Sequence, residues 1–211
     1  MHSVAFFVSP HGFGHAARAS AVMLELVQQA PEVRLEIFTR VPEWFFADTL
    51  RVPFGYHDLL TDIGMAQRTP LAEDLEETQR RLETFLPFSD DLLAEWAGGL
   101  HELGCRLVVC DISPLGIAIG RRAGLPVVLL ENFTWDWIYT GYLRQAGEAG
   151  AERLDGLATA IRCLGETFAM ATAHIQTQPV CWPRPAMPLR ERSPLIWRTF
   201  SGGTLQAGAG G

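Results

Sequence analysis

The feature of this amino-acid sequence that most constrains its fold is an apolar run that ends in a glycine-rich turn. Residues 4–8 predict a buried strand, the turn Ser9-Pro-His-Gly-Phe-Gly-His15 follows, and the apolar spacing over 15–29 predicts a helix. Small residues such as Gly12 and Gly14 let backbone N–H groups approach a ligand at the start of a helix. The turn also carries two imidazoles, which binding alone does not require. It therefore indicates acid–base chemistry as well as binding.

Short apolar runs alternate with longer helical segments along the rest of the chain. Continuous apolar strands separated by helices are typical of a parallel sheet with both faces covered. The expected fold class is therefore α/β, a Rossmann-like doubly wound parallel sheet in a single domain. Further strands are predicted at 34–39, 54–59, 106–110, 127–130 and 173–177, a loop at 60–72, helices at 43–50, 113–123, 134–143 and 151–171, and a helical stretch at 73–103 that Pro87 breaks.

The composition of the chain changes near residue 180. Residues 1–180 carry the alternating pattern and are expected to form one Rossmann-like domain. Residues 181–211 begin rich in proline and end in Ser-Gly-Gly-Thr-Leu-Gln-Ala-Gly-Ala-Gly-Gly. We expect this segment to be an irregular, disordered tail.

Charge and cysteine content argue against several classes of function. A net charge of −7 disfavours nucleic-acid binding, which depends on clustered basic residues. The sequence has no apolar run of about 18 residues, no leader-like N-terminus and four scattered cysteines, so we expect no membrane span and a cytoplasmic location. It also has neither the ligand spacing of a zinc site nor a P-loop motif. A metal site and P-loop phosphoryl transfer are therefore not predicted.

His15 and Asp111 are the candidate catalytic residues. His15 stands at the predicted start of the first helix, where the helix dipole favours the neutral imidazole that can accept a proton. Asp111 ends the strand that lies beside the first strand in a doubly wound sheet. A histidine oriented by an aspartate is a common arrangement for deprotonating a hydroxyl. The structural alternatives are a histidine that hydrogen-bonds the turn and an aspartate that caps the next helix.

Two more residues near this turn are candidate ligand contacts. His11 could contact a ligand or be a solvated loop residue. Arg18 lies one helical turn after Gly14. It could meet an anionic ligand or a carboxylate on a neighbouring helix.

An aromatic and polar segment, Glu-Asn-Phe-Thr-Trp-Asp-Trp-Ile-Tyr, follows the strand predicted at 127–130. Asn132, Thr134 and Asp136 suit hydroxyl groups, and Trp135 offers an aromatic face. These residues are candidate contacts to a sugar or a similar polyol. The alternative is that the aromatic residues belong to the core and that Thr134 caps a helix.

A nicotinamide dinucleotide site is disfavoured by residues near the glycine-rich turn and at the end of the second strand. The third glycine of the dinucleotide fingerprint is replaced by Ala17, and no acidic residue ends the second strand, where Thr39 and Arg40 stand. Arg40 leaves open an NADP-type oxidoreductase, in which an arginine meets the 2′-phosphate.

With these residues in place, the chain resembles the N-terminal, acceptor-binding half of a GT-B glycosyltransferase. The turn Gly12-Phe-Gly-His15 is similar to the Gly-x-Gly-His turn of nucleotide-sugar-dependent transferases, and Val108-Val-Cys-Asp111 to the strand whose Asp orients the histidine. The resemblance implies that His15 is a general base toward an acceptor hydroxyl. It also implies a nucleotide-sugar donor as co-substrate and no other cofactor.

The chain more closely resembles the glycosyltransferase-like region of L-arabinokinase-type proteins. Residues 10–18 and 132–139 are similar to Gly-His-Gly-Phe-Gly-His-Ala-x-Arg and Asn-Phe-Ser-Trp-Asp-x-Ile-Tyr, and the resemblance runs over about 3–180. A second Rossmann domain, which would bind the donor, has no counterpart here. We therefore expect an acceptor domain that needs a donor-binding domain or subunit as partner. The alternative is a non-catalytic sugar- or nucleotide-binding module, or a truncated relative.

Overall fold

The computed structural model describes residues 2–179 and 181, with side chains of 148–151 left aside. Within this part of the chain, six parallel strands form one sheet in the order β3-β2-β1-β6-β7-β8. The strands are β1 (Ser3–Val8), β2 (Arg34–Thr39), β3 (Phe54–Asp58), β6 (Cys105–Asp111), β7 (Val127–Glu131) and β8 (Ala173–Gln176). The order reverses between β1 and β6, as in a doubly wound sheet. The predicted α/β fold class is confirmed.

Helices cover both faces of the sheet. The helices are α1 (Phe13–Gln29), α2 (Glu43–Leu50), α3 (Leu75–Phe85), α4 (Asp90–Glu102), α5 (Pro114–Arg122), α6 (Trp135–Arg153) and α7 (Asp155–Ala169). The core on one face joins Val4, Phe6 and Val8 of β1 to α1 and α2. The core on the other face joins Ala5 and Phe7 to α3–α7. Because successive strand residues point to opposite faces, one apolar strand supplies both cores.

Several helix boundaries follow from capping residues that are visible in the sequence. Ser113 accepts a hydrogen bond from the N–H of Gly116 at the start of α5, and Pro114 occupies the first turn. Asp74 and Ser89 cap α3 and α4 in the same way. The break predicted at Pro87 therefore separates two helices that each begin at a good N-cap.

Three predicted boundaries were wrong. The predicted loop at 60–72 contains a two-stranded antiparallel hairpin, β4 (Gln67–Thr69) with β5 (Ala72–Glu73). The helix predicted at 134–143 continues to Arg153 through a kink at Gly147, and α7 starts later than predicted, at Asp155. The sequence signal for the full length of this helix was weak, because α6 lacks a clear apolar stripe beyond its aromatic start. The tail predicted at 181–211 lies, apart from Cys181, outside the described residues.

No helix among the described residues is long and apolar enough to cross a membrane.

Helix α5 packs so closely on the sheet that it depends on glycine. A Cβ built on Gly116 would lie 2.4 Å from Cβ of Phe7, which is fully buried in β1. Phe7 stacks in turn on Phe38 of β2, with ring centroids 4.4 Å apart. The Asp111-to-Ser113 turn is therefore held against the sheet by a close helix–strand contact.

We expect Gly116→Ala to lower the free energy of unfolding by about 1–3 kcal/mol, because the added methyl overpacks the core. Gly98→Ala in α4 is the matched control, since a Cβ there meets nothing within 4 Å. The control should be neutral or stabilising by up to about 1 kcal/mol. Urea unfolding followed by circular dichroism measures both. Equal stabilities for the two variants would contradict the close packing of α5.

Candidate functional site

The point where the strand order reverses brings the glycine-rich turn beside the end of β6. Val8 and Asp111 are neighbours in the β1–β6 register, and the N–H of Ser9 donates to the carbonyl of Asp111 at 3.2 Å. Gly12 has φ +90°, a conformation that favours glycine, and α1 begins immediately after it. Gly12 and Gly14 are exposed, and a Cβ on either would meet nothing within 4 Å. The turn is therefore open to a ligand.

His15 and Asp111 are in direct contact. Nδ1 of His15 lies 2.8 Å from Oδ1 of Asp111, and both residues are buried, with 8% and 1% exposure. A carboxylate only accepts, so we assign the proton of the imidazole to Nδ1, which leaves Nε2 with a free lone pair. Within residues 2–179, the ring makes one hydrogen bond, from Nδ1 to Asp111, and Nε2 makes none. The predicted pair is thus assembled, with Asp111 free of the capping role that Ser113 fills.

Arg18 shares the same carboxylate. Its Nε donates to Oδ2 of Asp111 at 2.7 Å and its Nη2 to Oδ1 at 2.5 Å, a bidentate pair. Of the two alternatives for Arg18, the structure supports the carboxylate, which lies on a strand rather than on a helix. Nη2 is also 3.3 Å from Nδ1 of His15, so a fixed positive charge stands beside the imidazole.

Asn132, which directly follows β7, joins this cluster. Its Oδ1 accepts from Nη1 of Arg18 at 2.5 Å, and Oγ1 of Thr177 lies 3.5 Å from the same nitrogen. Thr177 was missed by sequence reasoning, although its position just after β8 places it at the same edge of the sheet. The guanidinium of Arg18 therefore ties α1 to the ends of β6, β7 and β8.

The other candidates from the aromatic segment do not line this cluster. Trp135 is 4% exposed and packs in the core, which matches the alternative that the aromatic residues belong to the core. The carboxylate of Asp136 lies against α7, with Oδ2 3.5 Å from a Cβ built on Gly165. Thr134 is 2% exposed, and its carbonyl accepts from the N–H groups of Trp137 and Ile138 in the first turn of α6. The helical periodicity at the start of α6 directs the side chains of residues 134 and 135 toward the protein interior.

A second buried carboxylate, Asp62, lies next to this cluster. It is 1% exposed, accepts from Nε1 of Trp135 at 3.3 Å and hydrogen-bonds Ser9, whereas its Oδ1 has no partner among the described residues. Burial raises its pKa from 3.8 to about 6, against the opposing effects of Ser9, His15 and Trp135. Sequence reasoning missed Asp62, whose only signal is a Thr-Asp pair shortly after the third strand.

His11 forms a wall of the same region. Its ring meets Trp135 edge-on at 5.0 Å, and a Cβ on Gly64 would lie 2.4 Å from its Nδ1. Burial, and secondarily His15, lowers the pKa of His11. His11 is therefore half-buried against other residues, which differs from the solvated loop residue considered as an alternative.

The described residues contain no group of three or more His, Cys, Asp or Glu side chains that could hold a metal ion. The polar groups around His15 are instead one carboxylate, one guanidinium and one amide. Such a set suits hydrogen bonding and proton transfer.

Comparison with known proteins places this geometry in a known architecture. No family model matches the chain. It is 30% identical over 145 residues to an L-arabinokinase of Arabidopsis thaliana. Among solved structures, UGT71G1 of Medicago truncatula in complex with UDP-glucose aligns with a TM-score of 0.51 at 13% identity, over 83% of this chain. UGT2 of Phytolacca americana with UDP-2-fluoro-glucose and pterostilbene aligns with a TM-score of 0.50 at 10% identity, over 82%.

The chain is a GT-B-like domain. It spans 45% and 47% of the two solved transferase chains, and the match covers 14% of the L-arabinokinase. The GT-B-like domain therefore corresponds in fold to less than half of each transferase. The likeness at 10–13% identity establishes the fold.

We expect Asp62→Asn to change how the stability of the GT-B-like domain depends on pH. Between pH 3.8 and about 6 the native chain retains a proton on Asp62 that the unfolded chain has lost, so this group stabilises below pH 4 and its contribution disappears as pH rises through 6. The wild type should therefore lose about 2 kcal/mol more than the variant between pH 4 and pH 7.

Denaturant unfolding at pH 4 and pH 7 measures this difference. Asp48→Asn is the matched control, because Asp48 is exposed on α2. Parallel pH profiles for wild type and Asp62→Asn would show that Asp62 has the same protonation in the native and unfolded chains, contrary to expectation.

Proposed function

We propose that this chain forms the acceptor-binding side of a glycosyltransferase that uses a nucleotide-sugar as co-substrate. The observation that carries this proposal is the 2.8 Å contact of His15 with Asp111 at the carboxyl edge of a GT-B-like sheet. Ligands of open α/β sheets bind at this edge, where the strand order reverses. A buried histidine with one ring nitrogen held by a carboxylate has the arrangement of a general base.

In the proposed reaction, Nε2 of His15 accepts the proton of an acceptor hydroxyl. The acceptor oxygen forms a bond to the anomeric carbon of the donor sugar, and the nucleotide leaves with the electrons of the bond that breaks. Asp111 keeps the proton of the ring on Nδ1 and faces the imidazolium that results. General-base catalysis of this kind contributes about 10²- to 10⁴-fold in rate.

The acceptor would lie over the exposed turn. Gly12 and Gly14 leave space there, and the half-buried ring of His11 lies in the same turn. Phe13 and Trp44 are 50% and 58% exposed, with their ring centroids 5.9 Å apart. These surfaces fit a small-molecule or sugar acceptor that has one hydroxyl to present to His15.

The donor would be bound mainly by a second domain or subunit. The structural comparison supports this proposal, because the chain corresponds to only 45% of the length of a transferase chain solved with UDP-glucose. This chain would supply the acceptor side of a cleft. A donor-binding partner would supply the opposite wall.

A second candidate function is a non-catalytic sugar- or nucleotide-binding module. The observation that favours it is the position of Arg18, which makes two hydrogen bonds to Asp111 and lies 3.3 Å from Nδ1 of His15. This cation reduces the net negative charge available to stabilise an imidazolium. The 30% identity to an L-arabinokinase, a protein named for a sugar substrate, also favours sugar binding.

We expect His15→Ala to lower the rate of glycosyl transfer by about 10²- to 10⁴-fold without loss of fold. The assay measures UDP release from UDP-glucose with a panel of phenolic and sugar acceptors. It uses the full chain, alone and with any donor-binding polypeptide that co-purifies with it.

His101→Ala is the matched control, because His101 is exposed in the last turn of α4. It should keep wild-type transfer. Transfer by His15→Ala within about twofold of the wild type would overturn the base role of His15. Sugar binding by the wild type, unchanged in His15→Ala and with no transfer by either, would favour the binding module.

A further inference from the structure

A cleft of about 390 Å³ lies between α3 and the segment that follows β3, apart from the His15 cluster. Three arginines line it: Arg40 after β2, and Arg80 and Arg81 on α3. Its volume falls in the range of small-molecule sites. In a chain with a net charge of −7, three arginines at one cleft reverse the local charge.

The arginines are incompletely neutralised. Arg80 and Arg81 share a single carboxylate, that of Glu77, to which Nε of Arg81 donates at 2.7 Å. Nε of Arg40 lies 3.4 Å from Oδ1 of Asp58, a contact between exposed side chains that contributes little. Three cations thus face two carboxylates, and the cleft keeps a positive charge.

The geometry of these contacts leaves donors available. Arg40 and Arg81 use Nε for their carboxylates, and within residues 2–179 their terminal Nη groups make no hydrogen bond. Such groups bind the paired oxygens of a phosphate or a carboxylate with good geometry. The unused donors therefore match an oxyanion.

The rest of the cleft is apolar. Leu60, Ile63 and Phe85 contribute to its wall. Thr84 also lines it, but its hydroxyl donates to the carbonyl of Arg80 within α3. A small inorganic ion would leave the apolar wall uncovered, whereas a molecule with an apolar body would cover it.

We propose that this cleft binds an organic anion, a phosphate or carboxylate group carried on an apolar or aromatic body. The anion pairs with Arg40 and Arg81, and the body lies against Ile63 and Phe85. None of these residues belongs to the His15 cluster, so the site stands whether or not His15 is a base. The two sites meet at one segment, because Ile63 in the cleft directly follows Asp62 beside His15.

Phenyl phosphate tests the site by calorimetric titration of the full chain. Benzyl alcohol is the neutral probe, inorganic phosphate the probe without an apolar body, and benzoate the carboxylate probe. We expect phenyl phosphate or benzoate to bind at least about tenfold more tightly than benzyl alcohol and inorganic phosphate. The anion that binds more tightly identifies the preferred charged group. Tighter binding by either anion supports the proposed site.

The double variant Arg40→Gln with Arg81→Gln should weaken binding by at least about tenfold. Arg68→Gln is the matched control, since Arg68 is an exposed arginine on β4 whose Nε pairs with Asp74 at 2.9 Å outside the cleft. Phe85→Leu should weaken the binding of phenyl phosphate more than that of inorganic phosphate. This difference distinguishes the contribution of the apolar wall from that of the charge. Thermal unfolding confirms that each variant folds.

Three outcomes would overturn the site. One is no heat of binding for either organic anion at millimolar concentration. Another is equal affinity for benzyl alcohol and phenyl phosphate. The third is a loss of affinity for the organic anion in Arg68→Gln that equals the loss in the double variant.

Discussion

The carboxylate of Asp111 is the group on which the arrangement of the candidate site depends. It is 1% exposed at the end of β6, and a charge buried to this degree requires partners. Arg18 supplies two hydrogen bonds and His15 a third. Because these two residues are three positions apart on α1, one helical turn brings both to the same carboxylate. The buried charge thereby also fixes the orientation of α1 over the sheet.

Arg18 gives this cluster two opposing chemical properties. It holds Asp111 in place, links it to Asn132, and so orders the ends of three strands. Its positive charge also stands 3.3 Å from the imidazole of His15, where proton uptake would create a second cation. The balance between positioning and repulsion decides whether this site transfers protons or binds only.

The segment between β3 and β4 has two sides with different chemistry. On its inner side, Oγ1 of Thr61 donates to the carbonyl of Val8, Ser113 donates to the carbonyl of Thr61, and Asp62 is buried beside Trp135. On its outer side, Ile63 lines the arginine-bearing cleft. Loops at the carboxyl edge of a sheet commonly carry function, because the scaffold places them without depending on their sequence. Here one short segment borders both candidate sites.

Local patterns in the sequence determined most of the architecture and the identity of the central pair. Continuous apolar strands, capping residues such as Ser113 and the turn ending at His15 are short-range signals, and parallel connectivity places β6 beside β1. The contacts between residues distant in the chain were decided by tertiary structure. Arg18 and Asp111 are 93 residues apart, and no local signal distinguishes this pair from an arginine that awaits a ligand. Burial likewise decided the state of Asp62 and Trp135, because the exposure of a polar or aromatic side chain depends on what packs over it. The sequence by itself thus determined which elements form and which edge carries the chemistry, and the packing of those elements decided which charges meet there.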